Sequence, residues 1–213
     1  MKAALFDLDG TLINSLADIA WAMNLALREH GLREYPEKDY RYFVGSGVYV
    51  LTSRVIGERT DLEEKVRKTY MANYAAHSLD RTAPYPGIEN MLRDLKRQGV
   101  KVCVFSNKPD PDTQHIVRHF FGGDLFDAVQ GQISGIPIKP DPAGALQLAQ
   151  KLDVEPAEML YAGDSGVDMQ CAVRAGMQAC GVLWGFRDEP ELRENGARFL
   201  LHDPAELTDV IKL

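Results

Sequence analysis

Cysteine is scarce in this chain: three in 213 residues, Cys103, Cys171 and Cys180, with no CxxC spacing. That excludes a disulfide framework and a zinc ribbon, and Cys103, inside an apolar run, reads as a small buried hydrophobe with a reduced thiol. Basic residues are outnumbered, 24 Lys and Arg against 31 Asp and Glu, for a formal charge of -7. A general nucleic-acid surface needs clustered cations to displace counterions, so none is expected. No apolar run approaches membrane-spanning length, and Lys2 leads straight into an apolar segment without a signal-peptide layout. The expectation is a cytoplasmic chain without a nucleic-acid or membrane partner, either a monomer or a homodimer. With 45% hydrophobic residues it can bury a full core as one large domain or a domain with an insert.

The first apolar run stops on Asp7-Leu8-Asp9-Gly10-Thr11-Leu12. If Ala3 to Asp7 is a strand, side chains two apart leave on the same side, so Asp7 and Asp9 converge just beyond its end and Gly10 lets the backbone turn away. Two carboxylates that close call for a divalent metal, a proton shuttle or both; a capped strand end with solvated acids is the alternative. Helical spacing follows from Leu16 to Leu27, with Ser15 and Asp18 placed as a capping box. From Pro36 to about Leu79 only helical patterns occur. After Pro84-Tyr85-Pro86-Gly87 the character changes to alternation: helix Ile88 to Gln98, strand Val100 to Phe105, helix to Phe121, an apolar stretch Phe126 to Val129, a helix from Pro142. Strand Met159 to Ala162, helix Val167 to Ala175, strand Gln178 to Leu183, and short elements to Ile211 complete the pattern. This is an α/β chain: a Rossmann-like parallel sheet, formed by residues 1–14 and 83–213, with helices on both faces and an all-helical insert at 15–82.

In such sheets ligands bind beyond the carboxyl ends of the strands. Asp7 and Asp9, Ser106 and Asn107, and Asp164 and Asp168 all fall at or just after predicted strand ends and are expected to share one crevice. Asp7 is the candidate carboxylate nucleophile for a phosphoryl group and Asp9 the candidate acid/base. Mg²⁺, which prefers oxygen ligands, suits Asp7 and Asp164 with a main-chain carbonyl. The Ser106 hydroxyl, nearby N–H groups and one long cation would bind the phosphate. Lys139, in Lys139-Pro140-Asp141-Pro142, is the first choice and Lys108 the competing one.

Asp7-Leu8-Asp9-Gly10-Thr11, Ser106-Asn107, Lys139-Pro140 and Gly163-Asp164-Ser165 with Asp168 resemble the four ordered motifs of the haloacid dehalogenase superfamily of phosphohydrolases. The insert resembles that superfamily's small helical cap. The stretch from Lys139 to Trp184-Gly185, with Ser106-Asn107-Lys108-Pro109, is most similar to phosphoglycolate phosphatases. The resemblance implies a Mg²⁺-dependent phosphatase acting on a small phosphorylated metabolite through an aspartyl-phosphate on Asp7. Asp9 would be the acid/base, and Thr11, Ser106, Asn107 and Lys139 the substrate-binding residues. Asp7, the Asp9 carbonyl and Asp164 would hold the metal, with Asp168 in contact with it or just behind. Asp9 argues against dehalogenation, and Asp141 stands where relatives often carry histidine. A phosphosugar mutase, a pyrophosphatase, a nucleotidase and a non-catalytic phosphate-binding module are the alternatives.

Other signals read as structure. His115 and His119 lie four apart on a predicted helix without a third ligand, Gly45-Ser46-Gly47 reads as a turn between insert helices, which the resemblance implies faces the substrate, and Tyr40, Tyr42, Phe43, Tyr70 and Tyr74 pack the insert. Arg54, on the next helix, reads either as a plain surface arginine or as a group reaching a substrate carboxylate.

Overall fold

A computed structural model describes residues 1–212. Strand β1 (Ala3–Phe6) is buried along its whole length, and a strand buried on both faces needs no polar alternation. Its side chains still alternate between two cores: Ala4 and Phe6 join one cluster, Ala3 and Leu5 the other. The chain then passes through a two-residue strand, β2 (Ile13–Asn14), into α1 (Leu16–Glu29), α2 (Tyr40–Phe43), α3 (Gly47–Ile56) and α4 (Glu63–His77), and returns through β3 (Ala83–Pro84), which pairs antiparallel with β2. Helices alone lie between these two short strands, as the sequence pattern predicts; the ribbon itself is too short to show in a periodicity.

The alternating half follows. Helix α5 (Ile88–Arg97) buries Ile88, Met91, Leu92 and Leu95, the spacing of one helical face. Then come β4 (Lys101–Pro109), α6 (Asp110–Phe121), β5 (Ala128–Gln132), α7 (Ala143–Leu152), β6 (Met159–Gly163), α8 (Gly166–Ala175), β7 (Gln178–Val182), α9 (Glu189–Glu194), β8 (Phe199–Leu201) and α10 (Leu207–Val210). The sheet order is β5-β4-β1-β6-β7-β8, all parallel. Strand β1 thus lies between β4 and β6, with Phe6 in register with both Val104 and Ala162. The three loops that carry the polar motifs leave the sheet side by side at its carboxyl edge.

Two local expectations are corrected. Ser15 and Asp18 do not form a capping box: Asp18, fully buried, accepts from Arg81 N (2.9 Å), Thr82 N (2.8 Å) and Thr82 Oγ1 (2.8 Å). Four N–H and O–H donors converging from the returning chain, Arg81 Nε included, outcompete the single amide a cap would offer. The strand before Ser106 runs on through Ser106-Asn107-Lys108 to Pro109, with an irregularity in its pairing to β5 between Phe105 and Pro109. That irregularity re-aims the polar residues without ending the strand.

Candidate active site

The Asp7 N–H still donates to the Ala162 carbonyl at 3.0 Å, so its side chain is set by the sheet. Asp7 Oδ1 accepts from Leu8 N at 2.7 Å and lies 2.8 Å from Lys139 Nζ, which leaves Oδ2 without a protein donor among the described residues. Gly10 (φ +87°) turns the chain, a conformation that favours glycine. Asp9 Oδ1 accepts from Ser15 Oγ at 2.5 Å and from Lys108 Nζ at 2.6 Å. Across β1, Asp164 Oδ2 accepts from Phe186 N at 2.7 Å. Its carboxylate is seated on glycine: a Cβ at Gly10 would come within 2.2 Å of Asp164 Oδ2, and one at Gly185 within 2.3 Å of Asp164 Cβ.

Lys139 is buried and brings charge to the middle of the site. Its Nζ lies 2.8 Å from Asp7 and 2.7 Å from Asp168, and donates to the Phe105 carbonyl at 3.2 Å. The other Asp168 oxygen accepts from Ser165 Oγ and N, closing a capping box on α8. Burial opposes the Lys139 charge, but Asp168 and Asp7 together hold the ammonium above its ordinary value. Ser106 lies on the same cavity wall as Asp7 and Asp9.

A family model described as haloacid dehalogenase-like hydrolase matches residues 4–182. The chain belongs to the haloacid dehalogenase-like hydrolase family. It is 36% identical over 219 residues to a phosphoglycolate phosphatase of Cereibacter sphaeroides, covering 100% of this chain and 98% of that one. A phosphoglycolate phosphatase of Aquifex aeolicus is 34% identical, covering 99% and 97%. A solved structure from Lactobacillus delbrueckii subsp. bulgaricus superposes with a TM-score of 0.94 at 33% identity, over 99% of this chain and 98% of that one.

Members of this family use a divalent metal, and the donor set fits one. Ligand oxygens of Asp7, Asp164 and Asp168, all buried, lie within 4.8 Å of one another. Burial first, then Asp168, pushes the Asp7 carboxyl up to about 7 against the pull of Lys139. Burial, Asp168 and Asp7 push that of Asp164 well above the carboxylate range. Hard oxygen donors with surplus negative charge are what a small divalent cation satisfies. The protonated acids favour the fold; for Asp7 in chelator, that contribution is complete below the unfolded-chain value of 3.8 and is lost as pH climbs through about 7. Added Mg²⁺ is therefore expected to raise the thermal midpoint more at about pH 8 than at about pH 5. Equal shifts at the two pH values would contradict this charge balance.

Of the residues expected to bind substrate, Ser106 and Asn107 line the cavity, whereas Thr11, Lys139 and Arg54 do not. Arg54 is exposed, and its Nη1 donates to the Tyr42 and Phe43 carbonyls (3.1 and 2.9 Å); it is absent from the cavity wall. The guanidinium satisfies the end of α2 instead. Thr11 is buried behind the Gly10 turn, where its carbonyl accepts from Trp184 Nε1 at 2.9 Å and its hydroxyl has no partner. Asn107 does line the cavity, but its amide braces the loops: Nδ2 donates to the Gly45 and Lys139 carbonyls, and Oδ1 accepts from Lys139 N at 2.8 Å. Ser15 and Tyr74 went unread as site residues. Their contacts cross from the insert to Asp9 and Lys108, and no spacing rule shows such contacts.

Proposed function

We propose that this chain is a Mg²⁺-dependent phosphatase of small phosphorylated acids, 2-phosphoglycolate first among them, acting through an aspartyl-phosphate on Asp7. The observation that carries it is the meeting of Asp7, Asp9 and Ser106 on one cavity wall, backed by Lys139 and Asp164. Asp7 Oδ2 attacks phosphorus while Asp9 gives its proton to the departing ester oxygen, releasing the alcohol. Asp9 then takes a proton from water, whose oxygen attacks the phosphorus of the aspartyl-phosphate, freeing phosphate and Asp7. Ser106 and main-chain N–H groups after Asp7 hold the phosphoryl oxygens, and Lys139 holds Asp7 in line. Asp7, Asp164 and the Asp9 carbonyl would hold Mg²⁺, which when bound neutralises charge between the phosphate and Asp7. Asp168 accepts from Lys139 and Ser165 and so fixes Lys139 beside the metal donors.

In this reading residues 15–82 are a cap over a core of 1–14 and 83–213. Ile19, Val48, Leu51, Tyr70 and Tyr74 from the insert supply the apolar side of the cavity, and closing it excludes water from the phosphoryl transfer. The cavity measures about 60 Å³. The three cysteines are free and buried, which suits the reducing cytoplasm.

The test is phosphate release with and without Mg²⁺ on 2-phosphoglycolate, pyrophosphate, nucleotides and a hexose phosphate, the last also examined for an isomerised product. Release from none of them would reject the proposal, and isomerisation would replace hydrolysis by a mutase. Asp9→Asn is expected to lower turnover of alkyl phosphoesters by roughly a hundred- to ten-thousand-fold. Its effect on the first-turnover release of p-nitrophenol from p-nitrophenyl phosphate is expected to be much smaller, because that leaving group departs without a proton, before Asp9 is needed to activate water; equal losses in that first turnover would remove Asp9 from the acid role.

A further inference from the structure

We propose that Lys108 is the specificity-determining residue of this cavity, selecting substrates whose carboxylate lies next to the phosphoester; this rests on the phosphatase reading above. The cavity wall carries the acids Asp7, Asp9 and Asp112, and Lys108 is its single cationic side chain among the described residues. Lys139 lies behind the wall, held between Asp7 and Asp168. The nearby arginines are engaged elsewhere: Arg41 with the Phe186 carbonyl, Arg54 with those of Tyr42 and Phe43, and Arg187 with that of Val44.

Lys108 is buried at the end of β4, and its ammonium bridges Asp9 Oδ1 (2.6 Å) and Tyr74 Oη (2.7 Å). An ammonium has three N–H donors, so one remains beyond these two partners. Lysine is almost never buried unless paired, so one buried between Asp9 and Tyr74 of the insert is no solvated surface residue.

The position of this cation is set relative to the chemistry. Asp9 must reach the ester oxygen, and Lys108 touches Asp9. The atoms one and two bonds beyond that oxygen therefore pass beside the Lys108 ammonium, which is where 2-phosphoglycolate carries its carboxylate. Without Lys108, the charged side chains on the described wall would be Asp7, Asp9 and Asp112, all of them acidic. Burial pushes the Asp112 carboxyl up while Lys108 draws it down, so the lysine already offsets the negative charge of this wall. A charge-assisted bond to the incoming carboxylate is the added interaction that a neutral ester of the same shape cannot make.

The test compares 2-phosphoglycolate with ethyl phosphate, its near-isostere lacking the carboxylate, in the wild type, Lys108→Met and Lys108→Arg. Wild type is expected to prefer the acid, and Lys108→Met to lower the ratio of kcat/KM values by about 10- to 100-fold, chiefly through KM for the acid, on the scale of one lost charged hydrogen bond. Lys108→Arg, which keeps the charge, is expected to retain most of the ratio, and it serves if the methionine variant fails to fold. An unchanged ratio in Lys108→Met, even with both rates depressed, would mean that Lys108 only orients Asp9 and would overturn the proposal. So would a wild type that hydrolyses both esters equally, which would leave the phosphatase reading intact. A wild type that hydrolyses neither rejects the phosphatase reading and this selection with it.

Discussion

Asp7→Asn is expected to lower phosphate release by at least about a thousandfold while leaving the protein folded. Asparagine keeps the shape of the side chain and can still accept from Leu8 N and lie against Lys139, so the end of β1 retains its geometry. What it loses is the anionic oxygen that must bond to phosphorus. The stability effect separates this outcome from simple damage. Burial raises the Asp7 carboxyl to about 7, so above that pH the metal-free wild type holds a charge the fold disfavours. The metal-free variant is therefore expected to melt no lower than wild type at about pH 8, and the gain in midpoint on adding Mg²⁺ is expected to shrink because one ligand charge is gone. Calorimetry with and without chelator reads both, beside the phosphate assay. Turnover surviving at more than a few per cent would remove Asp7 from the nucleophile's place.

These outcomes rest on features that a sequence shows unevenly. Asp7 and Asp9 are legible because acids spaced by one residue converge at a strand end and the three later motifs fall at strand ends or between them in the expected order, and the alternation of strands and helices after Pro86 sets the parallel sheet. Residues whose part depends on a partner far along the chain are not. Asp18 looks like a cap from its neighbours, and only the return of Arg81 and Thr82, sixty-odd residues later, shows what its carboxylate is for. Arg54 has the charge for an anion but lies where the open carbonyls of α2 claim it. Asn107 sits in the right motif, yet its amide faces Lys139 and Gly45 and so holds two loops in place. Lys108 shows the same limit in the other direction. From the sequence Lys108 is only the second choice of cation after Lys139, and its place on the cavity wall shows once Tyr74 of α4 is seen beside it. Local chemistry is written in the order of residues, whereas the pairing of groups is decided by how the insert settles on the sheet.

Lys139→Met is expected to cost about 3–5 kcal/mol of stability and to abolish activity, since removing one member of a buried ion cluster leaves the others uncompensated. Lys139 touches both Asp7 and Asp168, at 2.8 and 2.7 Å, with all three side chains buried. Methionine fills nearly the same volume, so the loss is electrostatic and is not a cavity effect. It follows that a second change, Asp168→Asn, is expected to return part of the stability by removing one stranded charge, while activity stays absent because Asp7 is still unpaired and no longer held in line. Asparagine at 168 can still accept from Ser165 N, so the first turn of α8 is not undone by the rescue. Mg²⁺ is expected to narrow the deficit of the single variant, being attracted by the charge that Lys139 no longer balances. Denaturant midpoints for the four combinations of the two sites, each with and without Mg²⁺, give the coupling directly. Additive effects, with no recovery in the double variant, would mean that Lys139 stabilises the site through its packing among Phe105 and Tyr161 and not through its charge.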